Sequence, residues 1–217
     1  MIDYKRVRHG LDLWPQKSQV MAMSPDIVLS LALGVGLAAA VGFRVFLPLF
    51  MYGLAVHEGV LSASVGFEWA TTTPALFMFA MAGTFEIVAY YVPLLDNALD
   101  AIAAPLAVAA GIGVTAAALG GAPPMLKWAL AIIAGGGIAA ATQGASTVLR
   151  GVSTATTAGL ANHLISTGEI FGAIGLSLVA ILLPYVALVA VALLAVIITW
   201  VFLRRWKKPT NGRSAKA

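Results

Sequence analysis

Two glutamates stand deep inside apolar sequence. Glu86 lies within the stretch Pro74–Val92, and Glu169 within the one that begins near Thr157. A charged side chain at the centre of a bilayer costs about 2.5–3.5 kcal/mol on insertion scales, so such a group normally faces a cavity or a partner. A carboxyl there can hold a proton, release it, or exchange it for a cation. The competing reading is a neutral or paired glutamate that ties helices together. Glu86, Tyr90, Pro93, Asn97 and Asp100 follow one another at steps of four, three, four and three. They share one stripe if the helix continues through Pro93. Asp96 adds a carboxylate four residues before Asp100, and such oxygens suit a hard cation. Asp96 and Asp100 serve equally well as capping acids in a solvated link. Near Glu169, the residues Asn162, Ser166 and Glu169 line one helix face, and Gly168 and Gly172 leave room for a neighbouring helix.

The remaining candidates carry weaker signals. Arg44 falls near the far end of the first apolar stretch and is expected to snorkel to the interface. Its other reading is a partner for Glu86 or for an anionic substrate. Gln143 and Arg150 bracket the fourth stretch, and Arg150 reads as a cytoplasmic anchor. His163, on a different face from Glu169, reads as a helix-contact residue. The glycines at 34–36 and 135–137 have no following Lys-Ser/Thr and are packing surfaces, not phosphate loops. There is no cysteine, and no Ser/His or clustered His set, so neither an enzyme nor a cofactor is expected.

The elements that hold these residues follow from composition. Of 217 residues, 60% are hydrophobic and 10% charged, against about 25% charged in soluble domains. Such a chain cannot cover a surface facing water. A soluble enzyme, a nucleic-acid-binding module and a disordered chain are excluded, and an all-α transmembrane bundle is expected. Ten of the thirteen basic residues lie before Ser24 or after Leu203; three basic and seven acidic residues remain between them, a net −4. Basic tails read as positive-inside signals. Both termini are then cytoplasmic, in a multi-pass protein of the bacterial inner membrane with an even number of spans. A cleaved signal peptide ending at Ala38–Ala40 is disfavoured, because the apolar stretch from Ile27 to Leu54 far exceeds an h-region of about 7–15 residues. Met21 or Met23 is a candidate start.

At ~1.5 Å per residue a span needs about 20 apolar residues. Ile27–Pro48, continuing apolar to Leu54, is the expected first helix. His57 to Thr73 is a loop, Pro74–Val92 the second helix, and Leu94–Asp100 a polar link. Ala101–Leu119 is the third, Gly120 to Pro124 a break, and Lys127–Leu149 the fourth. Arg150–Ala155 is a polar turn, and Thr156 to Leu203 holds two more spans that divide near Gly175–Ser177. That makes six.

Internal similarity groups them. Gly34-Val-Gly-Leu-Ala-Ala-Ala40 matches Gly135-Gly-Gly-Ile-Ala-Ala-Ala141. Thr71-Thr-Thr-Pro leads to Glu86-Ile87 as Thr154-Ala-Thr-Thr leads to Glu169-Ile170, and Pro105 and Pro184 each open a late apolar run. Two halves of three helices are expected, at 24–119 and 120–203, flanked by basic tails at 1–23 and 204–217. Because three is odd, the second half enters from the opposite side, as in inverted-repeat transporters. Each glutamate lies about 12 residues into its span, ~18 Å from opposite faces of a core ~30 Å thick. Both carboxylates therefore fall near the midplane.

The strings Gly42-Phe-Arg44, Leu47-Pro48 and Glu86-x3-Tyr90-x2-Pro93-x2-Asp96-Asn97-x2-Asp100 resemble the bacterial membrane-protein family known as domain of unknown function 4126, over about residues 24–203. The resemblance implies the topology and the choice of residues; it supplies no chemistry. The expected function is a transporter or channel for an inorganic cation or small cationic solute, proton-coupled through Glu86 and Glu169, with Asp96, Asn97, Asp100, Asn162, Ser166, Tyr90 and Arg44 as further ligands. The expected partners are the lipid bilayer, the solute and a second copy of the chain, with no nucleic acid. The rival readings are a scaffold or accessory subunit of an envelope complex and, third, an intramembrane enzyme acting on lipid.

Overall fold

A computed structural model describes residues 25–62, 64–91 and 93–206. Among them all regular structure is helical. The helices are α1 (Pro25–Val41), α2 (Phe46–His57), a 3-10 turn (Glu68–Thr71), α3 (Thr73–Ala89), α4 (Pro93–Ala118), α5 (Pro124–Leu130), a π segment (Ala131–Gly136), α6 (Gly137–Thr157), α7 (Asn162–Leu182) and α8 (Pro184–Trp206). Small residues fill the interior: Ala38, Ala39, Ala40, Ala107, Ala139, Ala173, Ala180 and Ala187 are buried. Phe77, Phe85, Phe171, Leu164 and Val196 point outward. An interior of small residues under a large apolar exterior suits a lipid surround, where backbones gain by close approach. By length and composition two helices can cross a bilayer, Pro124–Thr157 and Asn162–Leu182; the other apolar helical stretches among the described residues, such as Thr73–Ala89, Ile102–Ala118 and Pro184–Trp200, have 10–17 residues.

The first apolar stretch is not one span. It folds back at Gly42–Val45 into a hairpin of α1 and α2. Leu33 of α1 and Tyr52 of α2 share a core cluster, and both line a cavity of about 580 Å³ with Leu29, Leu61, Gly120 and Pro184. That cavity marks one end of the bundle, and the hairpin tip lies in its interior. Gly42 permits the bend: a Cβ there would lie 2.5 Å from Thr142 Cβ and 2.8 Å from the Ala139 carbonyl oxygen.

The neighbours fix directions. Gly53 of α2 packs on Ala70 and Leu76, while Glu86, far along α3, reaches Val45, so α3 runs antiparallel to α2. Gly36 packs on Ala180 and Gly172 on Phe43, so α7 runs antiparallel to α1. Ala187 packs on Gly36 and Val191 joins Val35 and Ala39, so α8 leaves the cavity end alongside α1. Residues 25 and 206 therefore lie at opposite ends of the bundle.

Three further boundaries are corrected. The link Leu94–Asp100 is helical and belongs to the 26-residue α4, with Pro93 opening the helix where its missing N–H does no harm. The polar run Arg150–Ala155 is also helical, and its Arg150 and Ser153 side chains face the protein interior. The turn comes at Ala158 (φ 52°) and Gly159 (φ 85°), a left-handed helix end. The last two helices divide at Leu183, not near Gly175–Ser177, since Pro184 can start a helix and cannot continue one.

Candidate functional site

The hairpin tip is where charge collects. The bend leaves the first N–H groups of α2 without intrahelical acceptors. Glu86, from α3, supplies the acceptors: Val45 N–H donates to Oε1 at 2.9 Å and Phe46 N–H to Oε2 at 3.1 Å. The carboxylate also matches the positive end of the helix dipole.

Arg44, the residue before this cap, has no exposed surface. Its Nη2 donates to the Ser166 carbonyl at 3.3 Å and lies 3.2 Å from Glu169 Oε2, both on α7. Glu169 also accepts from Arg150 Nε at 3.2 Å, from Arg150 Nη2 and from Ser146 Oγ, which come from α6. Tyr90, one turn after Glu86, holds its ring 4.0 Å from the Arg44 guanidinium carbon and 4.1 Å from that of Arg150. At such distances a ring attracts a cation through its quadrupole. Two acids, two guanidiniums and one ring thus form a buried cluster whose formal charge is zero.

Of the residues singled out by sequence, Glu86, Glu169, Tyr90, Ser166 and Arg44 meet here. Arg44 is no snorkelling residue: the bend turns it inward. Arg150 is no flanking anchor: α6 runs on past it, and it is buried against Glu169. Asn162 does not join the cluster; its Nδ2 donates to Thr154 Oγ1 at 3.1 Å across the α6–α7 turn. His163 packs against the Tyr91 ring, centroids 5.7 Å apart. The expected stripe from Glu86 to Asp100 is divided, because α3 ends at Ala89 and a new helix starts at Pro93. The side chains of Asp96, Asn97 and Asp100 lie outside the described residues. Among those described, no group of three His, Asp or Glu side chains could hold a metal ion.

Sequence reasoning missed Ser146 and misassigned Arg150. Their signal was available: Thr142, Ser146, Arg150 and Ser153 recur at steps of four, four and three, and all four are buried on one face of α6. Stopping the helix at Leu149 cut that stripe in half.

The profile of the family described as Domain of unknown function (DUF4126) matches residues 31–204. The chain belongs to this family. The match begins within α1 and takes in the hairpin bend, the whole cluster and α8 almost to its end, so the charged tip lies within the DUF4126 region. Comparisons with curated proteins and with solved structures return no match.

Proposed function

We propose that this DUF4126 protein is an integral membrane transport protein, a transporter or channel of the bacterial plasma membrane, and that the charged hairpin tip is its solute site. One observation carries the reading: a helical hairpin enters from one end of the bundle and stops inside it, on a fully buried arginine. Non-helical backbone at membrane depth is tolerated only where it is buried in protein or lines a water-filled cavity. Broken helices with charged partners at that depth mark solute pathways. A cation, the solute expected from sequence, would have to displace Arg44 or Arg150 to reach Glu169, whose oxygens already accept four donors.

In this reading α3, α4, the continuous Pro124–Thr157 helix, α7 and α8 cross the membrane, and the α1–α2 hairpin is re-entrant. Five crossings replace six. Six basic residues follow Leu203 and four precede Ser24, so with an odd number of crossings the more basic end is assigned to the cytoplasm and residue 25 to the other side, in place of two cytoplasmic termini.

A duplicated origin is part of the proposal. In the register that pairs Gly34 with Gly135, Val45 falls on Ser146, and these are the positions that meet Glu86 and Glu169. The helices bearing the two acids run in opposite directions, as inversion requires. The first elements depart from it: Gly34 and Gly135 both pack on Thr115 and Gly42 packs on Thr142, so α1 runs parallel to α6.

The test is flux through purified protein in liposomes. Solute movement that Glu86→Gln abolishes, at unchanged reconstitution, supports transport. A wild-type protein with no flux of any small ion across a wide pH range would leave the scaffold reading in its place.

A further inference from the structure

The cavity at the end of the bundle is a separate space from the charged tip: Leu37 and Val41, both buried, follow Leu33 along α1 between the two. Its volume of about 580 Å³ falls in the range of about 300–1,000 Å³ that holds small molecules. Leu29, Leu33, Ala117, Ile181 and Leu182 make apolar walls, and none of the described residues that line it is charged. Ser62 and Val65 are exposed and mark the mouth. Tyr52, 4% exposed, and Ser64, 3% exposed, mark the floor. Trp69 and Trp128 are exposed near the same end, which sets the mouth at the level of lipid headgroups.

That floor has donors without acceptors. The Tyr52 hydroxyl has no hydrogen-bond partner among the described residues, although a buried phenol normally finds one. Ser64 Oγ accepts from Lys127 Nζ at 3.2 Å, which leaves its own O–H to donate. An ammonium on the oxygen makes that O–H a stronger donor. We propose that the cavity binds a neutral, apolar carbonyl compound of the size of a quinone headgroup, whose oxygens accept from Tyr52 and Ser64. The cavity itself joins the two donors, since both residues line it. A quinone ring carries acceptors on an otherwise apolar frame, dissolves in lipid, and can trail a tail through the mouth into the bilayer. A plain alkyl chain would leave both donors unpaired, at the cost of their desolvation. An ion would find no counter-charge on the walls. The side chain of Asp26, three residues before Leu29, lies outside the described residues, and a neutral ligand needs no partner from it. This site goes beyond the transport reading and does not rest on it.

The experiment titrates the full chain in detergent with 2-methyl-1,4-naphthoquinone and, in parallel, with 2-methylnaphthalene, which has the same ring frame and no carbonyl. Thermal unfolding is the readout. The chain has no cysteine for the quinone to alkylate. Saturable stabilisation by the quinone is expected, with an affinity at least about tenfold above that of the hydrocarbon, the effect of two hydrogen bonds. Tyr52→Phe removes one oxygen that has no partner to lose, and it should weaken the quinone about fivefold while leaving the hydrocarbon unchanged. Ser64→Ala should do the same from the other donor. Equal affinities for the two compounds in the unaltered chain overturn the proposal, as does a quinone affinity that neither substitution changes. Stabilisation that rises without saturating means partition into detergent only and overturns it as well. A third arm uses dioleoylglycerol: tighter binding than the quinone, with the same dependence on Tyr52, overturns the ring and puts a lipid ester in its place. Flux in liposomes, present or absent, decides the transport reading and leaves this cavity untouched.

Discussion

Arg150 and Glu169 form a two-bonded ion pair between α6 and α7, both side chains almost fully buried. Removing one member of such a pair leaves an uncompensated charge and costs about 3–5 kcal/mol. Arg150→Ala should therefore destabilise strongly, and the double variant Arg150→Ala/Glu169→Ala should recover part of the loss. Thermal unfolding of the two single variants and the double one gives the coupling. Independent, additive effects would mean that the pair is not formed.

The two acids should respond differently to neutralisation. Glu86→Gln keeps one acceptor for the α2 N–H groups, where losing a cap costs about 0.5–2 kcal/mol. Glu169→Gln leaves the cluster with one acid against two buried guanidiniums, and such an uncompensated buried charge costs about 3–5 kcal/mol. Expression and melting temperature should fall further for Glu169→Gln. Equal losses would contradict the partner sets assigned to the two carboxylates.

Gly42 and Gly113 make a matched pair for the hairpin. A Cβ at Gly42 meets Thr142 and the Ala139 carbonyl, whereas one at Gly113 meets nothing within 4 Å. Gly42→Ala should cost about 1–3 kcal/mol through overpacking. Gly113→Ala, inside α4, should be neutral or stabilising by up to about 1 kcal/mol through helix propensity. Chemical denaturation of both variants checks the order, and a tolerated Gly42→Ala would mean that the bend does not press on α6.

The chain has no cysteine, so single cysteines report topology directly. With a re-entrant hairpin and five crossings, Lys17→Cys and Ala122→Cys should label from one side of the membrane and Ser214→Cys from the other. Labelling of positions 17 and 214 from the same side would restore the even number of spans and remove the re-entrant reading.

Much of the architecture is written in the local sequence. Apolar runs interrupted by Gly120-Gly-Ala-Pro-Pro124 mark helices and their limits, because proline and glycine act on their own backbone. The isolated acids Glu86 and Glu169 are visible for the same reason: their cost depends on the apolar residues beside them. The conflict between the Arg150–Ala155 run and a continuing helix is not local. A polar stripe reads as a turn until one knows that it faces Glu169 and not water.

The sequence by itself determined that the chain is helical, which family it belongs to, and that charge is concentrated at a few interior positions. Only the tertiary structure decided that the first apolar stretch turns back at Gly42–Val45, since a span and a re-entrant hairpin have the same composition. The bend depends on Thr142 and Ala139, about a hundred residues away, which leave no room for a side chain at position 42. The partners of Arg44 were likewise undecided by spacing: Ser166 lies 122 residues from it. Close packing of distant helices, not the local pattern, turned Arg44 from a surface cation into the buried centre of the cluster.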